Sequence, residues 1–288
     1  MQTNAETHSF FTEVFDSEGS SFGLSVKSLL HDKQSTYQRI EIFDTTHFGK
    51  LMVLDGCIML TQRDNFIYHE MMSHPALFSH PQPENVVIIG GGDCGTLKEV
   101  LKHPEVKMAL QVELDEAVTR VSEQFFPELC EQNNDPRAQF YFGDGIRWIA
   151  DAQANSLDLI IIDSTDPVGP AEGLFSVPFY RDCFKALKPN GIIVQQSESP
   201  IYHSQSIIAK MNNDLKTAGF ENPTVRTFPQ PVYPSGWWSC TMAVKASQTA
   251  PLELDGNPLR TVNIESKYYT QAMHSASSCL PAFMTRPT

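Results

Sequence analysis

The run Val86-Val87-Ile88-Ile89-Gly90-Gly91-Gly92-Asp93-Cys94-Gly95 decides the fold of this chain. Four successive apolar residues are typical of a strand buried on both faces of a parallel sheet, and a helix-compatible stretch, residues 96–100, follows directly. Glycines at such a turn let a ligand approach the backbone, and the helix N-terminus supplies unpaired N–H donors. The run therefore predicts a ligand-binding strand-to-helix turn, with a purely structural turn as the alternative.

The pattern of a short apolar run followed by a helix-compatible segment continues after this turn. Short apolar runs separated by segments long enough for crossover helices predict a doubly wound α/β sheet. The predicted strands are residues 86–89, 108–112, 140–142, 157–162 and 191–194, followed by a helix over 206–218 and a closing strand over 240–245.

The chain before this region has a different pattern. Residues 38–42 alternate polar and apolar side chains, and the runs 51–54 and 57–60 flank Asp55-Gly56, a typical hairpin turn. Helical spacing begins near Asp64 and continues to Leu77. We therefore predict a small antiparallel β domain over residues 1–75 and a catalytic α/β domain over residues 76–288.

The composition limits the classes of partner and the cellular compartment that we expect for this protein. The 288 residues carry 21 Lys and Arg against 34 Asp and Glu, a formal net charge of −13, which disfavours nucleic acids and anionic membranes as partners. The N-terminus lacks a signal-peptide pattern, and no run approaches the ~18 apolar residues of a membrane span. Six scattered cysteines without a C-x-x-C pair predict reduced thiols and no zinc ribbon. We expect a cytoplasmic protein without a metal.

The glycine turn is compatible with two classes of ligand. Gly90-x-Gly92-x-x-Gly95 matches the dinucleotide fingerprint, and Glu113 lies at the end of the next predicted strand, where a carboxylate can accept from ribose hydroxyls. NAD and S-adenosyl nucleosides both use this geometry. Asp93 inside the turn disfavours a pyrophosphate, because like charges repel, and favours a cationic or neutral ligand.

Further carboxylates follow the later strands. Asp144 follows the third strand, where it can accept from an adenine amine or cap the next helix. Asp163 and Asp166 stand on a Pro- and Gly-punctuated loop after the fourth strand, with solvated turn carboxylates as the alternative reading. Because the carboxyl ends of parallel strands meet at one edge, we expect these groups to converge with Asp93 and Glu113 in one crevice. Such a crevice suits a substrate carrying ammonium or sulfonium groups.

With these motifs in place, the chain resembles the polyamine aminopropyltransferases, and among them the spermidine synthases, from about residue 35 to the C-terminus. The segments that carry the resemblance are TQRDNFIYHEMMSHPAL (61–77), GGGDCG (90–95), QVELDE (111–116), FGDG (142–145), DSTDPVGPAEGLF (163–175), QQSESP (195–200) and PVYPSG (231–236).

The resemblance implies a Rossmann-like fold of the S-adenosylmethionine-methyltransferase type. It also implies transfer of the aminopropyl group of decarboxylated S-adenosylmethionine, a co-substrate, to putrescine by a homodimer or homotetramer without a cofactor. By position, nucleoside contacts fall on Gln38, Gly90, Gly92, Glu113, Asp144, Gly145 and Pro170. Substrate contacts fall on Tyr68, His69, Asp93, Asp163, Asp166, Gln196 and Tyr233, with Asp163 as proton acceptor assisted by Tyr68.

Other hypotheses stay open at this stage. Cadaverine or agmatine can replace putrescine, since an extra methylene discriminates by only about 1 to 3 kcal/mol. An NAD-dependent oxidoreductase and a non-catalytic sensor are the other classes. Cys94 stands where the family commonly has Gly, and we expect it to be a small buried residue. Trp237 and Trp238 either face an ammonium or pack in the core.

Overall fold

The computed structural model describes residues 9–167, 169–247, 252, 254, 258–260 and 264–285. Its N-terminal part is an antiparallel sheet whose five strands are paired in chain order. Asp55 and Gly56 both adopt positive φ at the last hairpin turn, as Asp-Gly favours. The strands are β1 (Ser9–Phe15), β2 (Ser20–Gln34), β3 (Arg39–Thr45), β4 (Lys50–Leu54) and β5 (Cys57–Thr61).

A second sheet of seven strands forms the main body. Its strands are β6 (Asn85–Gly90), β7 (Met108–Glu113), β8 (Ala138–Phe142), β9 (Leu157–Asp163), β10 (Leu187–Gln196), β11 (Glu221–Pro229) and β12 (Trp237–Val244). Their order is β11-β12-β10-β9-β6-β7-β8, with β6 to β10 parallel and β12 antiparallel to both of its neighbours. The predicted α/β fold with a small antiparallel β unit is confirmed.

Helices cover both faces of the second sheet. They are α1 (Asn65–Ser79), α2 (Gly95–Leu101), α3 (Glu116–Phe125), α4 (Gly145–Asp151), α5 (Val177–Ala186), α6 (Pro200–His203), α7 (Ile207–Ala218), α8 (Gln271–Ala276) and α9 (Ala282–Thr285). One apolar core lies between the sheet and α1 and α2, and another between the sheet and α4, α5 and α7. In the described part of the chain, no helix has the length and apolar content to cross a membrane.

Helix α1 connects the first sheet to the second. The last strand of the first sheet ends at Thr61, and α1 continues through residues 75 and 76, the boundary expected from the sequence. Met71, Met72 and Leu77 of α1 are fully buried in the core that includes Val86 and Ile88 of β6. The helix therefore packs with the α/β body along its length.

Gly90 offers a direct test of the packing at the end of β6. Its φ is +85°, and a Cβ built there would overlap the Asp163 carbonyl oxygen, so Gly90→Ala is expected to cost about 2 to 5 kcal/mol of unfolding free energy. Gly56→Ala is the matched control, because Gly56 has φ +88° but nothing within 4 Å of its Cβ position. Denaturant unfolding compares the two, and an equal loss in both variants would contradict the packing argument.

Candidate active site

Strand register brings the ends of β6, β7, β8 and β9 to one edge of the sheet. Gly90 lies opposite Asp163 in the β6–β9 pair, and Glu113 lies opposite Phe142 in the β7–β8 pair. These strand ends and the loops that leave them carry the predicted carboxylates, Asp93, Glu113, Asp144, Asp163 and Asp166. The sequence-predicted carboxylates therefore lie along one edge of the sheet.

The glycine turn packs closely against two of the carboxylate residues. The Gly91 N–H donates to the Asp163 carbonyl oxygen at 2.8 Å. A Cβ at Gly92 would lie 3.0 Å from Glu113 Oε2 and 2.8 Å from Val118 Cγ1. Gly90 and Gly92, both predicted nucleoside contacts, thus allow the turn to lie directly beside Asp163 and Glu113.

Both carboxylate oxygens of Asp163 are fixed by hydroxyl groups. Tyr68, on the first turn of α1, donates to Oδ1 at 2.7 Å, and Thr96, on α2, donates to Oδ2 at 2.6 Å. Burial, followed by the charge of Asp93, raises the pKa of the Asp163 carboxyl. A held carboxylate with a raised pKa is a stronger proton acceptor than one in water.

Asp93 is paired with His69. The imidazole Nε2 lies 3.2 Å from Oδ1 and 3.3 Å from Oδ2, and the Gly95 N–H donates to Oδ1 at 2.6 Å. Burial of His69 opposes protonation, but the Asp93 carboxylate outweighs it and raises the pKa of the imidazole. The pKa of Asp93 is lowered in turn, because the His69 charge outweighs the burial of the carboxyl. The turn therefore presents an ionised carboxylate next to Asp163.

Glu113 and Gln38 lie on either side of Asp115. The Asp115 N–H donates to Glu113 Oε1 at 2.8 Å, while Asp115 Oδ2 accepts from Gln38 Nε2 at 3.1 Å and from Ser35 Oγ at 2.6 Å. Asp115 also caps α3 through the Ala117 N–H. A residue of the α/β body thereby holds Gln38, in the loop between β2 and β3, next to Glu113.

The remaining predicted nucleoside contacts lie farther along the edge. Asp144 Oδ1 accepts from the Ile146 and Arg147 N–H groups, so the helix-capping reading of this residue is realised. A Cβ at Gly145 would lie 2.6 Å from Ile89 Cγ2, which explains glycine there by packing. Pro170 lies in the 3-10 segment Gly169–Phe175, after the loop that carries Asp166.

A cavity of about 40 Å³ lies between the loop that follows Asp163 and the first sheet. Its wall includes Tyr68, Asp166, Gln196, Tyr233 and Trp238. The Tyr233 ring lies edge-on to the Tyr68 ring at 5.7 Å and to the Trp238 ring at 4.9 Å, and its hydroxyl donates to the Met59 carbonyl oxygen at 2.5 Å. A cavity lined by aromatic rings and by the carboxyl groups of Asp166 and Glu13 suits an alkyl chain that carries an ammonium group.

The two tryptophans separate in the structure. Trp238 is 4% exposed and lines the cavity, while Trp237 packs against Phe283 with ring centroids 6.2 Å apart. Within this pair, only Trp238 is placed to contact a ligand in the cavity.

Two further buried carboxyl groups lie near Asp166: Glu198, which belongs to the segment QQSESP, and Glu13, which the sequence patterns did not indicate. Glu13 on β1 accepts from the Ile58 N–H at 2.9 Å, and burial, with Asp166 contributing, raises the pKa of its carboxyl to about 7. Glu198 Oε1 accepts from Gln196 Nε2 at 3.3 Å. Burial, followed by the nearby Asp166 carboxyl, raises the pKa of Glu198 well above its usual range. This end of the cavity becomes more anionic as the two groups ionise.

Thr96 and Asp115 are the other site residues missed from sequence. An Asp three residues before Val118, at the start of a helical pattern, was a usable N-cap signal for Asp115. Thr96 and Glu13 carried no local signal, because their place in the site depends on packing between distant segments.

Glu113 makes the stability of the unliganded protein pH-dependent. Burial, followed by the charges of Asp115, Asp163 and Asp93, raises the pKa of its carboxyl to about 7, against 4.5 for the free group. A raised carboxyl pKa gives stability that is present below pH 4.5 and is lost as the pH rises through 7. Glu113→Gln is therefore expected to stabilise the protein at pH 8 by of the order of 2 kcal/mol and to change little at pH 4.5. Thermal melts at both pH values test this, and a gain confined to low pH would contradict it.

Comparison with known protein families gives two matches. The model of the spermine/spermidine synthase domain matches residues 65–252, and the model of the spermidine synthase tetramerisation domain matches residues 9–62. The two matches correspond to the α/β body and to the antiparallel sheet.

Curated relatives match nearly the whole chain. A polyamine aminopropyltransferase of Thioalkalivibrio sulfidiphilus is 55% identical, covering 97% of each chain, and one of Methylococcus capsulatus is 51% identical, covering 96% of each.

Solved structures agree with the sequence matches. A crystal structure of spermidine synthase in complex with the transition state analogue AdoDATO has a TM-score of 0.90 and 34% identity, covering 99% of this chain and 96% of its own. Spermidine synthase from Thermotoga maritima has a TM-score of 0.89 with the same identity and coverage. The carboxylate crevice described above thus lies in a protein of the same fold, and the chain belongs to the spermine/spermidine synthase family of polyamine aminopropyltransferases.

Proposed function

We propose that this aminopropyltransferase transfers the aminopropyl group of decarboxylated S-adenosylmethionine to putrescine, giving spermidine, methylthioadenosine and a proton. The observation that carries the proposal is the Asp163 carboxylate, held by Tyr68 and Thr96 between the glycine turn and the aromatic cavity. In this proposal Asp163 is the base, and it lies between the nucleoside site and the amine site.

The sulfonium of the donor is already an activated leaving group, but an alkylammonium has no lone pair with which to attack it. Asp163 accepts a proton from the acceptor ammonium, and Tyr68 holds the carboxylate that does so. The amine nitrogen then attacks the methylene next to sulfur; the new N–C bond forms as the C–S bond breaks, and the electron pair goes to sulfur. Alignment of the two reactants supplies much of the rate. The reaction so written needs no metal or redox cofactor.

Asp93 and Glu113 hold the donor in this proposal. Glu113, with Gln38 next to it, accepts from ribose hydroxyls, and Asp144 lies where it can accept from the adenine amine. Asp93 binds the ammonium of the aminopropyl group and repels the carboxylate of intact S-adenosylmethionine. The glycine turn lets the nucleoside lie against the backbone.

The acceptor lies in the aromatic cavity. Tyr233 and Gln196 line its length, and Asp166 with Glu13 and Glu198 receives the far ammonium. Cadaverine and agmatine remain alternative acceptors, because an additional methylene in an apolar slot changes binding by only about 1 to 3 kcal/mol. The family comparisons favour this reaction class over an NAD-dependent oxidoreductase or a sensor.

Assembly into a homotetramer belongs to the same proposal. The first sheet matches a tetramerisation domain, which favours a tetramer over a dimer, and its strands β1 and β2 expose Phe10, Val14, Leu29 and Leu30. Sedimentation distinguishes the two assemblies. A cytoplasmic location is the matching expectation, supported by six cysteines that are all free thiols in the described residues.

Product analysis tests the reaction. Purified protein incubated with decarboxylated S-adenosylmethionine and putrescine should yield methylthioadenosine and spermidine in equal amounts, with intact S-adenosylmethionine as the control donor. Turnover of intact S-adenosylmethionine to a methylated amine would overturn the proposal, and so would the absence of both products at saturating substrates.

A further inference from the structure

Two cysteines lie against the glycine turn. Cys94 follows Asp93 directly, has φ +69° and is fully buried, with Sγ 3.7 Å from the Gly92 carbonyl oxygen. Cys130 lies beyond the end of α3, is partly exposed, and donates its S–H to the Asp93 carbonyl oxygen at 3.8 Å. The Cys130 sulfur therefore rests on the peptide unit that joins Asp93 to Cys94.

Both sulfurs lie against consecutive peptide groups of this turn, Cys94 Sγ near the Gly92 carbonyl oxygen and Cys130 Sγ near the Asp93 carbonyl oxygen. The Gln111 side-chain N–H donates to Cys94 Sγ at 3.8 Å. The neighbouring Cys130 thiol, followed by burial and the Asp93 charge, raises the pKa of the Cys94 thiol. Cys94 thus stays protonated at rest, while solvent reaches Cys130 first.

We propose that Cys94 and Cys130 form a disulfide when the protein meets a peroxide, and that this bond switches off the enzyme by moving Asp93. The effect on turnover rests on the proposed function; the formation of the bond does not.

The chemistry proceeds in two steps with hydrogen peroxide as the oxidant. The Cys130 thiolate attacks peroxide; the O–O bond breaks, and a sulfenic acid and hydroxide form. Cys94 sulfur then attacks the Cys130 sulfur, the S–O bond breaks, and the released hydroxyl leaves as water with the Cys94 proton. In total two thiols lose two electrons and two protons, and peroxide is reduced to two waters.

The bond changes the geometry at Asp93. A disulfide holds its sulfurs at about 2.05 Å, far closer than two thiols in contact, so the loop must shift. The Asp93 carbonyl loses its S–H donor, and the carboxylate that pairs with His69 moves with it. Misplacement of one substrate-holding group is expected to lower turnover by at least about tenfold.

Peptide mapping and activity together test the proposal. Wild type, Cys130→Ala, Cys94→Gly and the exposed control Cys279→Ser are treated with hydrogen peroxide, digested without reduction, and assayed before and after dithiothreitol. Glycine is chosen at position 94 because it accepts the positive φ. Wild type and Cys279→Ser should give a linked Cys94–Cys130 peptide, lose activity and recover it on reduction. Cys130→Ala should give no linked peptide and keep its activity in peroxide.

Two results would overturn the proposal. One is the absence of the linked peptide in peroxide-treated wild type; the other is equal, dithiothreitol-reversible inactivation of Cys130→Ala. A linked peptide without loss of activity would contradict the switch while leaving the bond. If the untreated protein forms no spermidine, the proposed function fails separately, and the peptide map still decides whether the disulfide exists.

Discussion

Asp163→Asn is expected to lower kcat by about 10²- to 10⁴-fold while leaving the affinity for decarboxylated S-adenosylmethionine nearly unchanged. The amide cannot accept the proton that the acceptor ammonium must lose. It is nearly the same size as the carboxyl group, and the Tyr68 and Thr96 hydroxyls can turn to bond with it, so the crevice keeps its shape. Steady-state kinetics with putrescine, together with calorimetric titration of the donor, measure both quantities.

Two companion variants sharpen this test. Tyr68→Phe keeps the ring between Tyr233 and His69 but removes the hydrogen bond to Asp163 Oδ1. We expect this variant to lower kcat by less than Asp163→Asn does. Asp151→Asn changes an exposed carboxylate on α4 and should behave like wild type. If Asp163→Asn kept kcat within about threefold of wild type, Asp163 would not be the proton acceptor.

Asp93→Asn is expected to lower kcat/KM for decarboxylated S-adenosylmethionine by about 10²- to 10³-fold. The substitution removes the carboxylate that faces the aminopropyl ammonium and leaves His69 without its charged partner. The Asn oxygen can still accept from the Gly95 N–H, so the turn retains its hydrogen bond. The same change removes the repulsion of intact S-adenosylmethionine, which should therefore bind more tightly than to wild type.

Titration of both nucleosides against wild type and Asp93→Asn measures this selectivity. The ratio of the two dissociation constants should shift toward the intact nucleoside by about tenfold or more. The Asp151→Asn variant again serves as the control for a change of net charge. An unchanged ratio would mean that Asp93 does not select the donor, even if catalysis were impaired.

The central strands of the second sheet could be predicted from sequence because burial on both faces leaves a continuous apolar run. Residues 86–89 and 157–162 are the clear cases, and they became β6 and β9, which pair with each other. Strand β11 (Glu221–Pro229) was not predicted. It lies at the sheet edge, pairs only with β12 among the described strands, and contains prolines that an edge tolerates.

The long strand β2 was also not predicted. Residues 21–27 do alternate apolar and non-apolar positions, so part of the strand carried a usable signal. The alternation stops at the adjacent Leu29 and Leu30, and within Ser20–Gln34 only Leu24 is buried. Its partners are β1 and β3, and the pairing is visible only when the three strands are placed together.

The candidate site likewise contains some residues that could be predicted from the sequence and others that could not. Asp93, Glu113 and Asp163 were predictable because each follows a recognisable strand, and strand ends converge at one edge. Thr96 and Glu13 were not, because they enter through contacts between segments far apart in sequence: Thr96 reaches Asp163 at the end of β9, and Glu13 bonds to Ile58 of β5. Only a few of the carboxylates that give the net charge of −13 therefore belong to the candidate site.

The proposed reaction is tested by initial-rate kinetics across an acceptor panel of putrescine, cadaverine, agmatine and spermidine, with decarboxylated S-adenosylmethionine as donor. We expect methylthioadenosine formation with the highest kcat/KM for putrescine, matched by an equal amount of spermidine. Binding of the donor without methylthioadenosine formation from any acceptor in the panel would contradict it.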